Sequence, residues 1–433
     1  MNLLLLLVSL IILLFVTLTL CKGDLLAPLP LSIASFSLTT FIAFSFNGSN
    51  GLDISINTAI IIILSLLIYG VGYVFTSGIL QKTYLNQFSL RRIKVRVPSN
   101  RINILVLLIS LIALYNNLRS TMALALTVDS DTDMSTMLMN ARNAEMFNNV
   151  HHAFLPTLMT FWLSAIGYLY IYLIVNEKIA CPKKFKLSNH ILELIIISVS
   201  IMGGILSTNR TFMIKIFAFV VVCFYYIKYI KRKKDSYSLK ESFHMMKSMI
   251  IIMVLFFGVF QLLGMTTGKT FTAKTNEMIY GYSGAAIMAF DRAVETYQPD
   301  NRYWGEQSFY GLYGLLNVFG ADIPNEILHL PFVTFRDGRA TNIYTSLHSY
   351  LYDFGYGGLY LIQFLLGIIS AIAYFLLKRL GIYPWYIFLY SLLIYGIAMQ
   401  GVEDMTLRDF MSVTNVITFI LFYVMSKLCY TKT

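Results

Sequence analysis

The sequence is organised by its apolar runs, stretches of about 20 residues near 2–20, 27–46, 57–80, 102–126, 153–175, 189–206, 211–230, 248–264, 355–377, 383–400 and 411–428. A helix rises about 1.5 Å per residue, so a run of this length crosses a hydrocarbon core of about 30 Å. Backbone amides inside a bilayer must be satisfied within the protein, which leaves helices or closed barrels. Runs that are continuous, with no polar and apolar alternation, select helices. Charged residues make up 13% of the 433, where a soluble domain carries about 25%. Mean hydropathy is +0.68. The expectation is an all-α polytopic membrane protein with about 11 transmembrane helices. Residues 1–264 would form N-terminal membrane helices, 265–354 a large loop with partly helical, interfacial segments, and 355–433 a C-terminal set. Residues 1–20 lack a basic start and a small-residue cleavage site, so they read as a retained first span.

The net charge of +11 does not point to nucleic acid, because of where the cations lie. They gather in alternate loops: Lys82 to Arg101, Lys178 to Lys186, Lys228 to Lys247, Lys378-Arg379 and Lys427 to Lys432. This is the positive-inside pattern, which places those loops and the C-terminus in the cytoplasm. Cys21, Cys181, Cys223 and Cys429 stand apart, with no spacing for a metal or a redox pair. Asp129, Asp131 and Asp133 alternate but lack the glycine and terminal glutamate of a calcium loop. No metal or other cofactor is expected.

Five charged residues fall inside or at the edge of the runs: Arg119, Glu193, Arg210, Lys215 and Asp353. Each needs a partner or a wet cavity. Arg210 sits in the hairpin LSTNRTFMIK. Its planar fork suits an oxyanion, while snorkelling to headgroups is the competing reading. Arg119, near Asn116 and Asn117, marks either a cavity wall or hydrogen bonding between helices. The segment from Arg336 to Tyr360, RDGRATNIYTSLHSYLYDFGYGGLY, concentrates charge at the edge of a run. Residues 265–340 form the longest non-apolar stretch, with Trp304, several tyrosines and Pro299, Pro324 and Pro331. A loop of that length is functional or disordered, and its aromatics favour an ordered subdomain on the membrane surface.

LSTNRT and TNIYTSLHSYLYDFGYGG, in that order on this topology, resemble the oligosaccharide repeat-unit polymerase family, the Wzy-type O-antigen or capsular polysaccharide polymerases. The resemblance implies work at the periplasmic face of a bacterial inner membrane. A glycan on undecaprenyl diphosphate would be transferred to the non-reducing sugar of a new lipid-linked repeat unit, without metal. A chain-length regulator and a flippase of the same pathway are the implied partners. A flippase of lipid-linked oligosaccharide, an O-antigen ligase and a membrane acyltransferase are the alternative readings.

Such a transfer must neutralise a leaving diphosphate, deprotonate an acceptor hydroxyl and hold sugars in register. Arg210, Arg336, Arg339 and Arg119 are the candidates for the diphosphate. His348 and Asp353 are the candidate bases. They are five residues apart, about 140° around a regular helix. A break at Gly355, Gly357 or Gly358 is the expected means of bringing them together. Trp304, Tyr303 and Tyr344 are the candidates for stacking on sugar.

Overall fold

A computed structural model describes residues 1–47, 53–84, 93–95, 98–134, 136–148, 150, 152–180, 185–207, 211–232, 241, 247, 279–297, 303–324, 330–335, 338–380 and 383–432. The chain is an all-α, multi-pass membrane protein. Its helices among those residues are α1 (Asn2–Leu20), α2 (Pro28–Asn47), α3 (Ile56–Tyr84), α4 (Asn100–Leu126), α5 (Met137–Phe147), α6 (Phe154–Ala180), α7 (Ile191–Leu206), α8 (Thr211–Arg232), α9 (Ala285–Glu295), α10 (Tyr310–Val318), α11 (Ser346–Leu380), α12 (Pro384–Met399) and α13 (Val413–Leu428). Eight helices are long and apolar enough to cross a membrane: α1 to α4, α6 to α8 and α11. The expected span at 248–264 lies outside the described residues.

Two expected spans are shorter than the bilayer requires. α12 and α13 have 16 residues each, about 24 Å. The connection between them, 400–412, is partly buried, with Gln400, Asp404 and Thr406 inside the protein. Non-helical backbone at such a position is tolerated because protein, not lipid, surrounds it. The Ser32 hydroxyl on α2 donates to Gln400 Oε1 at 2.6 Å, and the Gly401 amide donates to Ser35 Oγ at 3.0 Å.

Glycine allows the closest helix pairing. A methyl added at Gly72 on α3 would stand 2.4 Å from the Phe364 carbonyl oxygen, and one at Gly367 on α11 would stand 2.2 Å from that of Tyr69. Backbones this close pack by van der Waals contact, the attraction available where lipid removes a hydrophobic drive. Large rings fill the middle of the bundle: Tyr168, Phe219, Phe388 and Phe422 meet with centroids 4.9 to 6.1 Å apart. Short strands add two local ties. β1 (Ile93–Val95) pairs antiparallel with β4 (Tyr430–Lys432), so two of the basic segments lie together. β2 (Val333–Thr334) pairs with β3 (Ala340–Thr341) in a small hairpin.

Two of the embedded charges, Lys215 and Glu193, find partners within the bundle. Lys215 on α8 meets Asp409 at 2.6 Å and donates to Asn415 Oδ1 at 3.0 Å. Glu193 on α7 accepts from Asn103 at 2.9 Å, and Asn103 in turn accepts from the Tyr170 hydroxyl. Of the two readings, partner or wet cavity, Lys215 takes the first: it is buried in an ion pair with the α12–α13 connection. Arg119 is exposed on α4.

Candidate functional site

The site begins with a break in α11. Gly355 has φ 67° and ψ −175°, a conformation open essentially to glycine alone, and it divides the helix into a short arm, 346–354, and a long membrane arm. The short arm presents a different residue to each neighbour. Asp353 turns to the segment before α10, where its Oδ1 accepts from the Gln307 amide at 3.1 Å and its Oδ2 from the Ser308 amide at 2.7 Å. Two backbone donors hold the carboxylate in one orientation. They also fix the turn carrying Trp304 directly over the break.

Around that turn the rings form a wall. Trp304 lies 5.0 Å from Phe354 and 5.3 Å from Phe309, centroid to centroid. Tyr297, just after α9, stands edge-on to Tyr356 at 5.5 Å. Between them opens a cleft of about 500 Å³ lined by Tyr297, Trp304, Tyr352, Asp353, Phe354 and Gly355 above, and by Gly358, Leu361 and Ile362 below. The upper wall is aromatic with one carboxylate; the lower wall is the apolar flank of the membrane arm. Trp304 is 67% exposed. Burial raises the Tyr297 and Tyr303 phenols above their ordinary value, so both remain neutral hydroxyls.

The proposed site residues divide on this geometry. Trp304 and Asp353 line the cleft. Tyr303 does not; it packs edge-on against Tyr313 at 5.5 Å, behind the wall. Tyr344 is spent on structure, its hydroxyl donating to the Pro331 carbonyl at 2.8 Å. His348 is buried with its ring stacked 4.1 Å from Tyr344 and 6.2 Å from Tyr352, and its Nδ1 has no partner among the described residues. The expected role of the break is corrected here. Gly355 follows both His348 and Asp353, so the two stay on one regular arm and on different faces. Arg339 stacks over Tyr280 at 4.2 Å beside the β2–β3 hairpin, and neither it nor Arg119 lines the cleft. Arg210 and Arg336 lie outside the described residues. His152 ties α6 to its neighbours, with Ser120 at 2.7 Å and Glu145 at 3.4 Å.

Sequence reasoning missed Tyr297, Tyr352 and Phe354, which carry no local signal in a chain with 29 tyrosines and 32 phenylalanines. It also missed the connection GVEDMTLRD, 401–409, although four charges between two apolar runs were a visible signal. No protein-family model, curated protein or solved structure matches the chain.

Proposed function

We propose that the chain is a membrane glycosyltransferase that polymerises undecaprenyl-diphosphate-linked oligosaccharide repeat units into O-antigen or capsular polysaccharide at the periplasmic face of a bacterial inner membrane. The observation that carries this reading is the two-sided cleft at Gly355. Aromatic faces stack on the C–H surfaces of sugars, and the apolar floor of Leu361 and Ile362 continues along the membrane arm, as a lipid tail requires. The family resemblance of the LSTNRT and TNIYT…DFG segments points the same way.

In this reading an acceptor hydroxyl oxygen attacks the anomeric carbon of the donor. The anomeric C–O bond to phosphate breaks, and its electron pair leaves with undecaprenyl diphosphate. The acceptor proton passes to a base. Asp353 is the candidate that lines the cleft, and a true base contributes roughly 10²–10⁴ in rate. Arg210 and Arg336 remain the candidates for the diphosphate charge.

The test is an electrophoretic profile of surface glycan from the native host with the gene deleted. The expected result is glycan of at most one repeat unit, with lipid-linked single units accumulating. A normal ladder of lengths removes the polymerase reading. Full-length repeat chains accumulating on lipid without reaching their acceptor identify a ligase instead.

A further inference from the structure

A second polar site lies on the other flank of the short arm of α11. Asp404, in the partly buried α12–α13 connection, is 2% exposed. Its Oδ1 is fully engaged: the Tyr350 hydroxyl donates at 3.0 Å, and the Thr406 and Leu407 amides donate at 3.1 Å each. Its Oδ2 is buried and has no partner among the described residues. Ser346 Oγ and Thr406 Oγ1 are orphaned in the same way.

Neutral oxygens gather here. Ser346, one turn before Tyr350 on the same face, donates its amide to the Gln400 carbonyl at 2.9 Å, and the Ser346 and Thr406 hydroxyls lie beside the Tyr350 hydroxyl. The charges around Asp404 are already assigned. Arg408 is bound to Glu403, and Lys215 is bound to Asp409 and Asn415. Asp404 is thus a desolvated carboxylate with no ion-pair partner among the described residues. A buried ion left in that condition costs several kcal/mol.

We propose that Asp404 is the one anionic ligand of a buried monovalent-cation site of the sodium class, completed by the neutral oxygens of Ser346, Tyr350, Thr406 and the Gln400 carbonyl. Hard oxygens with no imidazole or thiolate suit an alkali or alkaline-earth ion over a transition metal. A single carboxylate selects charge one, since a divalent ion would leave an uncompensated positive charge in a dry interior. The backbone supports the same assignment. Carbonyls freed where a membrane helix stops short are a recurring source of cation ligands, and α12 stops at Gln400.

The experiment uses the full chain in lipid nanodiscs at pH 8 and constant ionic strength, following thermal unfolding by the fluorescence of Trp162, Trp304 and Trp385. Sodium chloride is titrated against choline chloride and potassium chloride. The expected result is a saturable rise in unfolding temperature specific to sodium and absent in Asp404→Asn. Thr406→Val keeps the carboxylate and should raise the half-saturating sodium concentration about tenfold, the loss of one ligand to a charged group. If Asp404→Asn does not fold, this variant decides alone, and an unchanged half-saturation overturns the proposal. Equal shifts in all three salts overturn it as well. A melt that follows pH but ignores sodium assigns the site to a proton and also overturns it. None of these readouts involves glycan, so the result stands apart from the reaction proposed above.

Discussion

Two aspartates flank the short arm of α11, and they are held in opposite ways. Asp353 turns both oxygens to backbone amides and lines an open cleft. Asp404 places three donors on one oxygen and, among the described residues, none on the other, in a buried interior. Tyr350 and Asp353 are three residues apart, neighbours on the surface of one helical arm, yet they lead to these two different environments. A carboxylate fully engaged by backbone works as a fixture, positioning the turn under Trp304. One that is half engaged and buried still has a bond to make.

The largest expected effect separates the fixture from a mere surface charge. Asp353→Ala leaves the Gln307 and Ser308 amides without their acceptor, at about 1–3 kcal/mol for each buried donor. Unfolding temperature in nanodiscs should fall, and glycan elongation should be lost with it. Asp353→Asn keeps an acceptor in place and should recover most of the stability. If elongation then returns too, Asp353 holds the cleft and does not take the proton. An asparagine variant that is stable and inactive assigns it the base.

Next in size is the hinge between the two arms. Gly355→Ala forces a side chain into a backbone conformation that costs about 1–3 kcal/mol. Its methyl would stand 3.4 Å from the Tyr297 hydroxyl, an ordinary contact, so strain and not collision is the cause. The expected outcome is a lower unfolding temperature together with a loss of elongation. The sodium response at Asp404 should survive, since it depends on the arm before the break. Loss of both responses together would show that cleft and buried site form one unit.

How much of this was legible in the sequence follows the range of the interactions involved. The apolar runs at 383–400 and 411–428 announced α12 and α13 closely, because hydropathy is a local property. The run at 355–377 began where the helix breaks, but α11 starts at Ser346. The segment SLHSYLYDF is too polar to read as a span and buries Leu347, Tyr350 and Leu351 against protein. Trp304 was legible as a rare, amphipathic residue in a long polar loop. His348 drew attention as chemistry, but its neighbours at i−4 and i+4, Tyr344 and Tyr352, turn it into a stacked structural ring. The pairing of Lys215 with Asp409 joins residues far apart in the chain, and no local pattern shows it.

The smaller effects test which residues belong to the cleft at all. Trp304→Ala removes a ring that is mostly exposed, so it should change stability by about 0.5 kcal/mol or less. If its stacking on sugar matches an aromatic pair, about 0.5–1.5 kcal/mol, the loss appears as a severalfold weaker half-saturation by the lipid-linked donor in a nanodisc elongation assay. Arg119→Ala is the matched control. This arginine is also exposed, but it lies on α4 away from the lining of the cleft. Its removal should leave both stability and elongation unchanged. A strong loss of elongation at Arg119, with the Trp304 variant unaffected, would place the reaction on the α4 flank of the bundle and take it away from the break at Gly355.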